Sequence, residues 1–136
     1  MSIGLMASCA GNKQPEQNNK PDNPLLQRST LQYQAPPFDK IKDEHFKPAF
    51  EYALKVHDAE IEKIANNTEA PTFTNTVLAI ETSGEDLNRA TLVFSNLTGS
   101  NTNPTLQAIE EEYAPIFSAH NDKLYLNSKI YQRIKA

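Results

Sequence analysis

Apolar side chains recur at steps of three and four along several stretches of the chain, and that spacing marks helices with one buried face. The first stretch runs from about Asp43 to Asn66. Its stripe is Phe46, Ala49, Phe50, Ala53, Leu54, His57, Ile61, Ile64 and Ala65. Pro48 falls near the start, where backbone N–H groups have no intrahelical partner anyway, and Asn66-Asn67 with Pro71 end the helix. The second stretch starts at Thr72 as N-cap and runs to about Thr98, with Phe73, Val77, Ile80, Gly84, Leu87, Ala90, Thr91, Phe94 and Leu97 on its stripe. The period survives Gly84, so one long helix is expected with a weak point there, a mid-helix glycine costing about 1 kcal/mol relative to alanine. The alternative is a real break at Ser83-Gly84 between two shorter helices.

A third helix is expected from Pro104, a suitable first helical position behind the cap Asn103. Its stripe is Leu106, Ile109, Tyr113, Ile116, Phe117, His120 and Leu124, and Pro115 in its interior predicts a kink by crowding the Glu111 carbonyl. Asn127 or Ser128 then caps a fourth helix carrying Ile130, Tyr131 and Ile134. It stops at Ala136 without a C-cap, so a longer natural protein is expected. The fold class is therefore all-α, with antiparallel helices joined by short loops and facing stripes sharing one core. Roughly 100 structured residues bury about 60–65% of their unfolded surface, a marginal basis for stability.

The N-terminal third lacks this periodicity. Asn23 to Lys42 holds Leu25, Leu26, Leu31, Tyr33 and Phe38 without a helical period, and Pro36-Pro37 enforce extended backbone. An irregular strap anchored on the helices by those side chains is expected. Gly11 to Asn23 has no aliphatic or aromatic residue, which predicts a disordered tether. The organisation is thus residues 1–22 as start and tether, and 23–136 as the strap and helical region.

Composition narrows the function classes. Hydrophobic residues make up 38% and charged residues 22%, and the net charge is −4, which offers no electrostatic footprint for a phosphate backbone. Nucleic acid is not an expected partner, and no apolar run reaches the roughly 18 residues a membrane span needs. The one cysteine, Cys9, follows Leu5-Met6-Ala7-Ser8, which resembles the lipobox of bacterial lipoproteins. Met1 to Ser8 contain no Lys or Arg and are short for a signal, so Cys9 is expected as the lipidation site of a truncated signal. The alternative is an ordinary start with a free thiol. Lipidation implies the cell envelope or periplasm, with anchoring only through Cys9; the alternative location is cytoplasmic.

Candidate catalytic chemistry is sparse. His45, His57 and His120 are followed by Phe46, Asp58 and Asn121, so none begins the HExxH motif that brings two imidazoles to one zinc. His57 and His120 lie on apolar stripes and read as helix-packing histidines with satisfied hydrogen bonds, while His45 is expected to be half exposed. Glu110, Glu111 and Glu112 point about 100° apart on a helix and form a solvated face rather than a metal site. No serine or cysteine nucleophile has a motif around it, and no phosphate-binding loop is present. Neither catalytic nor metal residues are assigned, and no cofactor is expected in this chain. The sequons at Asn66 and Asn96 carry no assignment.

Three segments in order carry a resemblance: NPLLQRSTLQYQAPPFDKIKDEHFKPAFEYAL at Asn23–Leu54, EIEKIANNTEAPTFTNTVLAIETSGEDLNR at Glu60–Arg89, and FSNLTGSNTNPTLQAIEEEYAPIFSAHNDKLYLN at Phe94–Asn127. They resemble the N-terminal region of bacterial peptidyl-dipeptidases, or dipeptidyl carboxypeptidases, in the thimet oligopeptidase and oligopeptidase A family of zinc metallopeptidases. The resemblance implies an almost wholly helical parent, several times longer, whose two halves enclose a channel with zinc at a downstream HExxH. It implies removal of dipeptides from the C-termini of short peptides, with the N-terminal helices as one channel wall. No catalytic or zinc residue of that family maps here. The expected partners are the rest of the peptidase chain and, in the full enzyme, short peptides. The competing expectation is a stand-alone helical lipoprotein or binding module of peptidase ancestry.

Overall fold

The computed structural model describes residues 20–136; Cys9 and most of the expected tether lie outside them. Among the described residues there are helices and turns and no strand. A 3-10 turn, Asp43–His45, leads into α1, Phe46–Ala65, whose buried face is Phe46, Ala49, Phe50, Ala53, Ile61, Ile64 and Ala65. α1 thus follows the stripe expected of it.

The second expected helix is a correction. Thr72 caps as expected, its Oγ1 accepting from the Asn75 amide while Asn75 Oδ1 accepts from the Thr72 amide. The first turns, Phe73–Leu78, are then π-helical and run into a short α2, Ala79–Glu81. The chain breaks at Gly84, whose φ of 68° is left-handed, before α3 begins as Glu85–Ser100. Only glycine takes that conformation without strain, so the break falls where the side chain is missing. The wider π turn also rotates the inward face. Thr76 is buried, while Phe73 and Val77, expected in the core, are exposed.

α4, Pro104–Tyr125, starts as expected, Asn103 Oδ1 accepting from the Leu106 amide, and it runs on through Pro115 as one helix. α5, Ser128–Lys135, is capped by Asn127, whose Oδ1 accepts from the amides of Lys129 and Ile130. Cross-links fix the directions. Lys47 meets Glu112, Phe50 meets Phe117, and Lys123 meets Asp58, so α1 and α4 run parallel. Phe46 meets Phe94 while the α1 end near Glu60 meets Gly84, so α3 runs antiparallel to α1.

The expected single core is two clusters. The larger joins α1, α3 and α4 around Phe50, whose ring lies 5.3 Å from Phe94, 5.1 Å from Tyr113 and 5.0 Å from Phe117, edge-on to Phe94 and Phe117. The smaller joins Ile61, Ile64 and Ala65 to Ile130, with Ala79, Ile80 and Leu124 against them. Arg133 supports this end from below. Its guanidinium donates to the carbonyls of Asn67 and Glu69, to Asn75 Oδ1 and to Thr76 Oγ1, tying α5 to the loop after α1.

The strap anchors through fewer side chains than expected. Leu25 and Leu26 are fully buried, held by buried Asn23, whose Oδ1 accepts from the Leu25 amide and whose Nδ2 donates to the His45 carbonyl. Leu31, Tyr33 and Phe38 are exposed. Ion pairs complete the attachment, Lys20 to Asp86 and Arg28 bidentate to Glu85, both at the start of α3.

Phe50→Ala removes the ring on which three helices converge. It should lower unfolding free energy by about 3–5 kcal/mol, read from urea denaturation followed by circular dichroism.

Candidate functional site

The two core clusters are separated by a polar layer. On α1 it falls at His57, four residues from Ala53 on one side and four from Ile61 on the other; on α4 it falls at His120, between Phe117 and Leu124. The helical repeat therefore aims both imidazoles at the same interface. His57 Nδ1 lies 2.9 Å from His120 Nε2. His57 Nε2 lies 3.1 Å from Ser83 Oγ, and His120 Nδ1 lies 3.3 Å from Asp58 Oδ1. Asp58 Oδ2 accepts from Lys123 Nζ at 2.8 Å. A continuous chain of polar contacts thus runs Ser83, His57, His120, Asp58, Lys123, crossing from the corner after α2 through α1 to α4.

Gly84 closes this layer from above. A Cβ at Gly84 would sit 2.9 Å from His57 Cε1 and Nδ1, so the glycine permits the close approach as well as the turn. Its amide donates to Glu60 Oε2 at 2.7 Å. His57, Ser83 and His120 open onto a cleft of about 830 Å³, also lined by Arg28, Asn88 and Asn121.

Ser83 beside His57 has the pairing of a nucleophile and its base. The neighbouring Gly84 N–H, which would stabilise an oxyanion, instead holds the Glu60 carboxylate. Negative charge at that place opposes the charge a tetrahedral intermediate develops. The chain of contacts holds helices together and is not a nucleophilic centre. Nor does the pair offer a zinc cage. Two of its four ring nitrogens face each other, and among the described residues no group of three His, Cys, Asp or Glu side chains converges as a metal site would.

His57 and His120 thus appear where helix-packing histidines with satisfied hydrogen bonds were expected, with the added feature that they bond each other. His45 is half-buried, and its Nδ1 accepts from the Lys42 amide. Glu110, Glu111 and Glu112 are exposed, Glu112 pairing with Lys47. Cys9 lies outside the described residues. Sequence reasoning missed Ser83, Gly84, Asp58 and Glu60 as partners of the histidines. The available signal was Gly84 itself, a glycine at a stripe position facing His57.

No family model matches the chain. Curated proteins do match. The chain is 46% identical over 114 residues to the dipeptidyl carboxypeptidase of Salmonella typhimurium strain LT2, covering 84% of this chain and 17% of that protein. It is 42% identical over 114 residues to the dipeptidyl carboxypeptidase of Escherichia coli K12, with the same coverage. This chain is homologous to a segment of the dipeptidyl carboxypeptidases. It spans about one sixth of the length of these curated relatives, 17% in each.

Two outcomes follow from the polar layer of this segment. Gly84→Ala forces a left-handed alanine and a clash with the His57 ring, and should lower thermal stability by about 1–3 kcal/mol. Burial and then His120 push the His57 imidazole below its ordinary 6.5, against weaker opposing pulls from Glu60 and Asp58. The folded chain therefore favours neutral His57. That stability is present above the unfolded value and is lost as pH falls through about 6.5 toward the lower folded value. Urea midpoints should drop between about pH 8 and about pH 5, and the drop should flatten in His57→Gln.

Proposed function

We propose that this chain is a non-catalytic, channel-wall segment of a zinc-dependent peptidyl-dipeptidase, an enzyme that removes dipeptides from the C-termini of short peptides. The observation that carries this reading is the match of 46% identity over 114 residues to 17% of a dipeptidyl carboxypeptidase. A segment of that length contributes packing and shape, and the chemistry falls to the rest of the chain. The described helices support such a role. Leu92, Tyr125, Leu126, Tyr131 and Ile134 are exposed apolar side chains, more than half accessible, of the kind that meet further protein. In this reading zinc is held by residues of the larger protein, and no step of the reaction passes through the groups described above.

The same reading places the protein in the bacterial envelope, attached through lipid on Cys9. Its support is the lipobox-like Leu5-Met6-Ala7-Ser8-Cys9 and the apolar-free stretch that follows. Intact mass of native protein extracted from envelopes should show an acyl addition; an unmodified mass would remove this element of the proposal.

The activity is tested with a chimera in which this chain replaces the matching segment of the Escherichia coli dipeptidyl carboxypeptidase. The chimera should release C-terminal dipeptides from a quenched peptide, chelator should stop it, and deletion of the segment should abolish the activity. The isolated chain should cleave nothing. Robust cleavage by the isolated chain would overturn the non-catalytic assignment, and an inactive but folded chimera would overturn the channel-wall role.

A further inference from the structure

We propose that the outer half of α5, Tyr131 and Ile134, together with Tyr125 and Leu126 at the corner before it, docks on a part of the larger peptidase that presents an apolar surface rimmed by carboxylates. The inference rests on the reading of this chain as a segment of that peptidase, and it names the partner's chemistry and the face that meets it. The starting observation is that the apolar stripe of α5 is only half covered. Ile134 lies about 40° and Tyr131 about 100° round the helix from Ile130, while Arg133 lies about 60° the other way. Ile130 packs against Ile61, Ile64 and Ala65, and Arg133 is buried beside it. The sector the core takes is therefore Arg133 to Ile130. Ile134 and Tyr131 continue the stripe past the edge of α1, each more than half accessible, and Tyr125 and Leu126 are more exposed still.

Charge says what covers them. From Lys123 to Ala136 the chain has four basic residues and no acid, against a net charge of −4 for the whole sequence. Asp122, one turn before Leu126, is the nearest acid along the chain. Lys123 is taken by Asp58. The three cations of α5 itself have no carboxylate partner among the described residues. Lys129 donates to the neutral Asn66 Oδ1. Arg133 is met only by carbonyl, amide and hydroxyl oxygens, and its Nε–H has no acceptor among the described residues. A buried charge without a counter-ion is poorly screened, so its field reaches the surface of its own helix and adds to that of Lys129 and Lys135.

A second copy of this chain does not suit the face. A two-fold contact would set the α5 cations of one copy against those of the other. An apolar surface edged with Asp or Glu satisfies both the stripe and the charge. The chain spans 17% of each relative, so most of such a protein lies outside this segment and can supply that surface.

The test is nitration of tyrosines by tetranitromethane, read by peptide mass spectrometry, on the 136-residue chain and on the chimera with the Escherichia coli enzyme, with the native envelope protein as a second full-length sample. Buried Tyr113 serves as the slow reference in each. Tyr125 and Tyr131 should react fast in the isolated chain and about tenfold more slowly in the larger proteins, because docking excludes water from the face. Ile134→Gln keeps a good helix former at an exposed position, so the isolated chain should unfold at an unchanged urea midpoint. In the chimera it should remove most of the protection of Tyr131. Lys129→Gln with Lys135→Gln should do the same, and protection that survives this pair would overturn the carboxylate rim. Equal reactivity of Tyr131 in the isolated chain and in a folded chimera or the native protein would overturn the docking. An active chimera with Tyr131 unprotected sinks this inference alone, whereas an inactive folded chimera with Tyr131 protected sinks the channel-wall reading alone. Protection of the isolated chain that rises with its own concentration would give the face to a second copy, and protection by phosphatidylglycerol vesicles would give it to a lipid surface; either would overturn the proposal.

Discussion

Everything in this fold leans on the ring of Phe50. It sits on α1 at the one level where α3 and α4 both come within aromatic contact, edge-on to Phe94 from one and to Phe117 from the other. Edge-to-face contacts fix orientation as well as distance, because the positive ring edge seeks the negative face. With Phe50 fixed, α1 and α4 are held parallel and α3 antiparallel, and Leu25 and Leu26 close the same cluster from the strap. The strap is held by this anchor, by Asn23 bonded to the His45 carbonyl, by Ile41 against the same cluster and by its ion pairs to α3, while Leu31, Tyr33 and Phe38 stay exposed.

The polar layer beneath Phe50 has a cost and a consequence. Two imidazoles between apolar clusters are tolerable only when their nitrogens are paired, since a buried polar group without a partner costs about 1–3 kcal/mol. Pairing them with each other requires helices in strict axial register. It also requires Ser83 and Asp58 to finish the chain at its two ends. The layer therefore specifies how α1, α4 and the Gly84 corner align, where an apolar layer would tolerate sliding. Below it, Arg133 plays a comparable part with neutral acceptors, converting loop carbonyls into a fixed seat for α5.

The relationship to dipeptidyl carboxypeptidases gives these features a setting. The matched length exceeds the helical region alone and covers 84% of the chain, so strap and helices were inherited together. The structure adds that this segment has an internal core of its own. Its larger cluster is complete among α1, α3, α4 and the strap, while several apolar side chains toward the ends of α4 and α5 remain outside both clusters.

Much of this was legible in the residues. The steps of three and four from Phe46 to Ala65 and from Leu106 to Leu124 determined α1, α4 and their buried faces, because helix periodicity is a local property written directly in residue order. Thr72, Asn103 and Asn127 marked helix starts for the same reason, each cap bonding an amide two or three residues away. The tertiary structure alone decided the break at Gly84. The stripe from Phe73 to Leu97 scores as one helix, and only the approach of His57, together with the Glu60 carboxylate waiting for the Gly84 amide, makes the left-handed turn the better solution. The split of one core into two was hidden likewise. Residues 57 and 120 are far apart in the chain, and no periodicity records that two histidines on different helices will reach hydrogen-bonding distance.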